Sequence, residues 1–229
     1  MTMNNSDESV DQAQQRPKRE PSAHKNTQAA FWDERYGSTP WAYGLEPNDF
    51  LRSQLETLSA TWGTFTGRRA LCLADGEGRN GVYLASLGFT VTSLDFSNLA
   101  RKKALQLAQE RGVELNYHIV DLNDYEPGDQ TWDLIVSIFF QPQASTRERL
   151  FARFGTVLKP DGRFILEAKH EPSVAPTPPS ERYPGLNILR SNLSPLQEVW
   201  GLECTRALSE GPYHQGDHAV VQLHAKKMA

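Results

Sequence analysis

Short apolar runs alternate along this chain with stretches that carry apolar residues at helical spacing, and this alternation predicts its secondary structure. Five runs predict β-strands: 70–73, 89–95, 115–120, 132–140 and 163–168. Four stretches predict helices that begin or lie near 47–58, 82–87, 97–111 and 146–158. Strands that alternate with helices form a parallel sheet covered on both faces. Two final strands, predicted at 202–209 and 218–226, have only a loop between them and must be antiparallel if they pair.

The first strand leads into a glycine-rich turn. Without side chains at Gly76 and Gly78, the backbone can turn sharply and bring its N–H groups close to a ligand. The next strand ends in Asp95, about 20 residues after the glycines. A carboxylate only accepts hydrogen bonds, so Asp95 suits the two donor hydroxyls of a ribose. This pattern predicts a cofactor of the adenosine type with free ribose hydroxyls. Taken alone, the turn also matches NAD enzymes, and a plain glycine-rich connection of an α/β protein is the alternative.

Composition narrows the class of protein. The chain has 229 residues, enough for one domain with a tail, and its net charge of −4 gives no general attraction for nucleic acid or an anionic membrane. No apolar run approaches the ~20 residues of a membrane span, and residues 1–15 lack the apolar core of a signal peptide. A cytoplasmic location is therefore expected. The two cysteines, Cys72 and Cys204, are predicted to lie on buried strands. Their number and spacing suggest neither a disulfide framework nor a thiolate zinc site.

The N-terminal part divides in two. Residues 1–27 are polar and are predicted to be a disordered tail, ahead of a single domain at 28–229. Residues 28–60 are predicted to form a helical lid segment. It holds five closely spaced aromatic residues: Phe31, Trp32, Tyr36, Trp41 and Tyr43. For Phe31 and Trp41 we expect packing onto the sheet, and for the other three a lid over the cofactor is the second interpretation.

Three further stretches carry predictions. The basic run 101–103 is interpreted as solvated surface of a helix. Residues 159–162 (KPDG) predict a turn before the fifth strand. The proline-rich stretch 170–189 is predicted to be an exposed loop that selects the substrate, followed by a short helix around 195–200.

These motifs together resemble the class I S-adenosylmethionine (SAM)-dependent methyltransferases. Four pieces carry the likeness: the glycine turn, Asp95, the strand end at 120–122 and the run 158–164. More narrowly, the chain is similar to the tellurite-resistance and thiopurine-type methyltransferases, through phrases typical of that group: WDERY at 32–36, YGLEPN at 43–48, GEGRN at 76–80, VDLN at 120–123, and EG at 210–211 with His214 and VVQL at 220–223. The resemblance implies a Rossmann-like fold with a mostly parallel seven-stranded sheet, an antiparallel C-terminal strand and helices on both faces.

The resemblance also implies the site. It places SAM against these residues: Tyr36, Tyr43, Asp75, Gly76, Gly78, Arg79, Asn80, Asp95, Phe96, Ser97, Asp121, Leu122, Ile138 and Phe139. Asp95 would hold the ribose and Asp121 the adenine amino group. In one respect the chain departs from the family, because Cys72 stands where an acid commonly helps to hold the cofactor's amino group. Asp75 or Glu77 is the substitute that the sequence offers.

The predicted activity is methyl transfer to a small molecule with a soft nucleophile, such as a thiol or a tellurium or selenium oxyanion. His214, in the final loop, is the candidate for orienting or deprotonating that acceptor, with an exposed loop histidine as the alternative. His214 and His218 lack the further ligands of a metal site, so no metal is predicted.

Two other functions remain open at this point. One is a catalytically silent SAM-binding protein, which the missing acid at Cys72 would permit. The other is an NAD oxidoreductase, which would need a substrate domain for which the chain leaves little room. A nucleic-acid amino-methyltransferase would show an Asn/Asp-Pro-Pro-aromatic motif after the fourth strand, and residues 137–142 (SIFFQP) do not match it.

Overall fold

A computed structural model describes residues 23–128, 131–170, 184–194 and 196–228. Its centre is one sheet of seven strands in the order β3-β2-β1-β4-β5-β7-β6. The strands have these bounds: β1 Arg69–Leu73, β2 Thr90–Asp95, β3 Asn116–Ile119, β4 Trp132–Ile138, β5 Leu158–Lys169, β6 Gln197–Ser209 and β7 Gln215–Lys226. Six helices accompany them: α1 Ala23–Gly37, α2 Asp49–Trp62, α3 Arg79–Ser86, α4 Asn98–Glu110, α5 Ala144–Val157 and α6 Leu186–Asn192.

The sheet has the predicted fold class. Strands β1 to β5 pair in parallel, and β7 runs antiparallel to both of its neighbours, β5 and β6. All seven residues of β4 are buried, as expected for a central strand with helices on both faces. The predicted Rossmann-like arrangement with one reversed C-terminal strand is therefore confirmed.

Two apolar cores fill the space between the sheet and its helices. Side chains from α2, α3 and α4 pack against one face, and side chains from α5 and α6 pack against the other. Side-chain caps start two of these helices, because Asn48 accepts from the Leu51 N–H at 3.0 Å and Ser97 accepts from the Ala100 N–H at 3.0 Å.

Several predicted boundaries were wrong. Residues 23–27, assigned to the tail, form the first turns of α1, whereas residues 1–22 lie outside the described part of the chain. Residues 186–189, the end of the predicted exposed loop, belong to α6, where Leu189 is fully buried. Residues 197–200, assigned to a helix, belong to β6. The predicted turn at 159–162 lies within β5, where the pairing with β4 shifts register and Asp161 adopts a positive φ of 62°.

Some side chains also lie elsewhere than expected. Phe31 is 50 % exposed instead of packing onto the sheet, while Trp41 does pack against the core. Cys72 is buried as predicted, but Cys204 on β6 is only half-buried. Within the described ranges, no helix combines the length and the apolarity that a bilayer crossing requires.

Candidate functional site

The site is built where the carboxyl ends of β1, β2 and β4 lie side by side, and the glycine turn follows β1 there. Leu73 pairs with Leu94 on one side and with Ser137 on the other, so the turn lies directly beside Asp95. The Gly76 N–H donates to Asp95 Oδ2 at 3.0 Å, and the Tyr117 hydroxyl donates to the Gly76 carbonyl at 2.7 Å. The turn and the end of β2 are therefore one hydrogen-bonded unit.

Asp95 is 4 % exposed and is held by backbone groups alone. Its Oδ1 accepts from the Ser97 N–H at 3.0 Å, and the Phe96 N–H also donates to the carboxylate. No cationic side chain compensates its charge among the described residues, so burial raises its pKa to about 6 despite these hydrogen bonds. The half-buried Phe96 follows directly, and Ser97 is buried as the cap of α4.

Asp75 lies beneath the turn. Its carboxylate accepts from the Gly81 N–H at 3.2 Å and from the Ser93 hydroxyl at 2.6 Å, which ties α3 to β2. Burial raises its pKa to about 7. The Cys72 thiol lies in the same buried region, where its pKa is well above the ordinary value because burial disfavours the thiolate. Both oxygens of Asp75 are thus engaged inside the protein.

The two glycines of the turn have different neighbours. A Cβ added at Gly76 would lie 2.8 Å from the Tyr36 hydroxyl, so the buried Tyr36 ring rests directly over the turn. A Cβ at Gly78 would instead lie 2.5 Å from Cβ of Ala104 on α4. Both glycines have positive φ, 57° and 84°. Gly76 therefore faces the lid segment, whereas Gly78 lets α4 pack closely.

Glu77 and Lys103 form a buried pair that anchors the lid segment, and the sequence analysis missed it. Lys103 Nζ donates to Glu77 Oε1 at 2.7 Å, to the Thr39 carbonyl at 3.0 Å and to the Tyr36 carbonyl. Glu77 Oε2 also accepts from the Ala42 N–H at 2.8 Å. The interpretation of 101–103 as solvated surface was thus wrong for Lys103. The sequence did indicate this, because Lys103 lies on the helix next to the apolar stripe Ala100–Ala104–Leu107.

Arg79 and Asn80 contact other parts of the protein, not the interior of the turn. Arg79 Nη2 donates to Glu210 Oε2 at 2.6 Å and Nη1 to the Glu46 carbonyl at 3.3 Å. Asn80 Oδ1 accepts from the Asn48 N–H at 2.9 Å. The turn is thereby joined to the start of α2 and to the loop between β6 and β7.

A buried network continues from Glu210. Arg206 donates to Glu210 Oε1 at 2.7 Å and to both oxygens of Glu167 at 2.6 and 2.7 Å, and Asn48 Nδ2 donates to Glu167 at 2.5 Å. The neighbouring guanidinium groups keep the pKa of Glu210 below its ordinary value. Sequence reasoning did not find these pairings, because each joins residues from distant parts of the chain or, for Arg206 and Glu210, from an exposed hairpin.

His214 lies over the end of β4. Its ring centroid is 4.3 Å from that of Phe139 and 4.6 Å from that of Tyr43. Phe139 has a positive φ of 55° and follows the buried Ile138. His214 is itself 6 % exposed, and its buried Nδ1 has no hydrogen-bond partner within the described ranges. Burial, with Lys169 and Arg79 nearby, lowers its pKa to about 3, so the ring is neutral.

The predicted residues at the end of β3 lie on the outer side of the site. Asp121 is half-buried, and its Oδ1 accepts from the Asn123 N–H at 2.9 Å. Leu122 is buried in the core on the α5 side, and its carbonyl accepts from Arg149 at 2.9 Å.

A groove on the surface lies away from these residues. It offers about 340 Å³ and is lined by Asp49, Phe50, Ser53, Gln54, Trp200, Arg206 and Gln222. None of the predicted site residues lines it. Among the described ranges, no three or more His, Cys, Asp or Glu side chains are grouped as for a metal ion.

Comparison with known proteins agrees with the motifs and the fold. Residues 70–162 match the model of a methyltransferase domain. No curated protein sequence matches the chain closely enough to count as a relative.

Three solved structures illustrate the shared fold. TehB from Haemophilus influenzae superposes with a TM-score of 0.62 at 17% identity, over 76% of this chain and 62% of that one, so the chain spans less than two thirds of TehB. The N-methyltransferase NodS from Bradyrhizobium japonicum, in complex with S-adenosylhomocysteine, superposes with a TM-score of 0.63 at 17% identity. The superposition covers 87% of this chain and 97% of NodS.

The third structure is 1,6-didemethyltoxoflavin-N1-methyltransferase from Burkholderia thailandensis, which superposes with a TM-score of 0.61 at 17% identity. The superposition covers 94% of this chain and 93% of that one. At these identities the superpositions establish the fold alone. The chain therefore has the fold of these methyltransferases, and its residues 70–162 match a methyltransferase domain.

Proposed function

We propose that this protein transfers a methyl group from SAM to a small-molecule acceptor with a soft nucleophile, such as a thiol or a selenium or tellurium oxyanion. The observation that carries the proposal is Asp95, a buried carboxylate beside the glycine turn whose donors among the described residues are backbone groups. When bound, SAM would supply an electrophilic methyl group. The acceptor's lone pair would form a bond to the methyl carbon while the carbon–sulfur bond breaks and its electrons return to the sulfur.

The donors and acceptors at the turn suit this cofactor. A carboxylate offers about four acceptor positions, and backbone N–H groups of residues 76, 96 and 97 occupy three at Asp95. One position remains for a ribose hydroxyl, one fewer than the sequence hypothesis assumed. Tyr36 covers Gly76, and its ring is suited to lie near a sulfonium charge. We therefore expect Tyr36 to contact the cofactor after the lid segment adjusts.

The acid missing at Cys72 is not replaced within the turn. Asp75 is bound to Gly81 and Ser93, and Glu77 is bound to Lys103 and the backbone of residues 42–43. We propose that backbone groups of the turn hold the amino-acid end of SAM.

His214 is proposed to orient the acceptor without removing its proton. With a pKa near 3, its neutral ring is a weak base, and its buried Nδ1 has no partner of its own among the described residues. The turnover rate of the parent protein should then show no step from His214 between pH 6 and 7. His214→Ala should lower turnover and leave SAM affinity nearly unchanged, since the proposed ribose contact is at Asp95.

The proposal is tested by thermal shift with SAM, S-adenosylhomocysteine and NAD. The first two should stabilise the protein and NAD should not. Asp95→Asn, which keeps the shape of the side chain, should weaken SAM binding by about 10- to 150-fold, because a hydrogen bond to a charged group contributes about 1.5–3 kcal/mol. Asp217→Asn, on the exposed start of β7, is the matched control. Equal stabilisation by NAD, or unchanged SAM binding by Asp95→Asn, would refute the assignment.

A further inference from the structure

Among the described residues, two cationic side chains near His214 have no acidic partner. Arg35 donates to the Tyr43 hydroxyl at 3.2 Å, and its guanidinium lies 4.5 Å from the ring centroid of Tyr213. Lys169, at the end of β5, is half-buried, and burial together with the charge of Arg35 lowers its pKa. Neither forms an ion pair with any residue that the structure describes.

The acids of this region are already committed to other groups. Glu210 binds Arg79 and Arg206, and Glu77 binds Lys103. Asp33 accepts from the Ser97 hydroxyl. The acceptor side of the site therefore keeps an excess of positive charge from Arg35 and Lys169, while His214 stays neutral between them and the turn.

The surroundings of Arg35 and His214 are aromatic. The ring of Tyr43 lies 6.1 Å from that of Tyr213 and 4.6 Å from that of His214, which in turn contacts Phe139. Rings favour a flat or apolar ligand body, and an unpaired, partly desolvated cation favours an anionic group. A neutral acceptor would satisfy only the rings.

From this arrangement we infer that the acceptor is an organic anion, whose carboxylate or similar group is held by Arg35 and Lys169 while its apolar body lies among the rings of Tyr43, Phe139 and Tyr213. The inference rests on the proposed function and names the class of its substrate. Because the anionic anchor and the attacking atom are different groups, the anion positions the nucleophile without being consumed.

A matched pair of aryl thiols tests the inference. The carboxylate 4-mercaptobenzoate and its neutral amide, 4-mercaptobenzamide, present the same nucleophile, with selenite as a small inorganic anion for comparison. We expect kcat/KM, measured by release of S-adenosylhomocysteine, to be at least about tenfold higher for the carboxylate, the factor that one charge-assisted contact supplies. Lys169→Met and Arg35→Met should each reduce this preference, and Lys102→Met, on the exposed side of α4, should leave it unchanged.

Binding of the same two thiols in the presence of S-adenosylhomocysteine, measured by calorimetry, separates the two hypotheses. Preferential binding of the carboxylate without turnover would refute methyl transfer to thiols and leave the anion site standing. Equal binding of acid and amide, binding of neither, or a preference that survives both substitutions would overturn the inference. Turnover of selenite with no preference within the thiol pair would also overturn it, in favour of a site for inorganic anions.

Discussion

Replacing Glu210 with glutamine should cost more stability than removing the arginine that it binds. Glu210 is 7 % exposed, and it accepts from Arg79 at 2.6 Å and from Arg206 at 2.7 Å. Arg206 would keep its two bonds to Glu167. Arg79, 6 % exposed, would keep only the Glu46 carbonyl and would become a buried cation without a counter-charge.

The magnitude follows from this imbalance. Removing one partner of a buried ion pair typically costs about 3–5 kcal/mol, and the surviving carbonyl contact of Arg79 puts Glu210→Gln near the lower end. For a domain of this size, about 3 kcal/mol corresponds to a fall in Tm of roughly 6–12 °C. Arg79→Met should cost only about 1.5 kcal/mol, because Glu210 would still bind Arg206 and Asn48.

These losses of stability are measured by urea unfolding at pH 7. The parent, both single variants and the double variant are compared. The double variant should be more stable than the sum of the single losses predicts, by about 1–3 kcal/mol of coupling. Glu198→Gln, which breaks the exposed pair with Arg190, is the control and should leave the midpoint unchanged. A loss below about 1 kcal/mol for Glu210→Gln, or a larger loss for Arg79→Met, would refute the reasoning.

The same contribution has a defined pH dependence. The folded-state pKa of Glu210 lies below its ordinary value, so its stabilising effect is present above the unfolded pKa, near 4.5, and is lost as pH falls through the folded value. The difference between parent and Glu210→Gln should therefore shrink below about pH 4.5. A difference that persists unchanged in acid would assign the loss to packing and not to charge.

Three further predictions follow from single positions. Gly78→Ala should destabilise the protein by about 1–3 kcal/mol more than Gly216→Ala, since φ is 84° and 85° but only Gly78 faces a close side chain; equal midpoints in urea would contradict this. The folded-state pKa of Asp75, about 7, exceeds its ordinary 3.8, so its contribution to stability falls as pH rises between these values; Asp75→Asn should flatten the pH dependence of unfolding between about pH 4 and 7. Lys103→Met should speed hydrogen exchange at residues 36–43, and unchanged exchange would show that the Glu77–Lys103 pair does not hold them.

The sequence predicts those parts of the fold whose information is local. Strand β4 is mostly apolar and fully buried, and α4, predicted within 97–111, runs from Asn98 to Glu110. The strand predicted at 202–209 is part of β6, but its first residues, 197–200, were assigned to a helix, because they are exposed on both faces and show no alternation. Its pairing with β7 decides its structure, and the buried Leu189 of α6 was likewise hidden in a proline-rich stretch.

In the candidate site, too, local contacts were predictable and contacts between distant parts of the chain were not. Gly76 and Asp95 come together because each follows a strand of the same parallel sheet, and this was predictable from order along the chain. The contact of Arg79 with Glu210 joins residues 131 positions apart through the last hairpin, and no local pattern specifies it.

The glycine motif alone could not decide between cofactors, and the structure gives a physical reason. Gly78 is required for the packing of α4 against the turn, so one of the two glycines would be needed whatever ligand is bound. The information that separates cofactors and acceptors lies in charge instead. Asp95 is a buried anion without a cation, which suits hydroxyl donors, and Arg35 and Lys169 are cations without an acid, which suit an anionic acceptor. Each of these groups bears a charge that the described residues leave without a counter-charge, and this is why we propose hydroxyl donors of the cofactor at Asp95 and an anionic acceptor at Arg35 and Lys169.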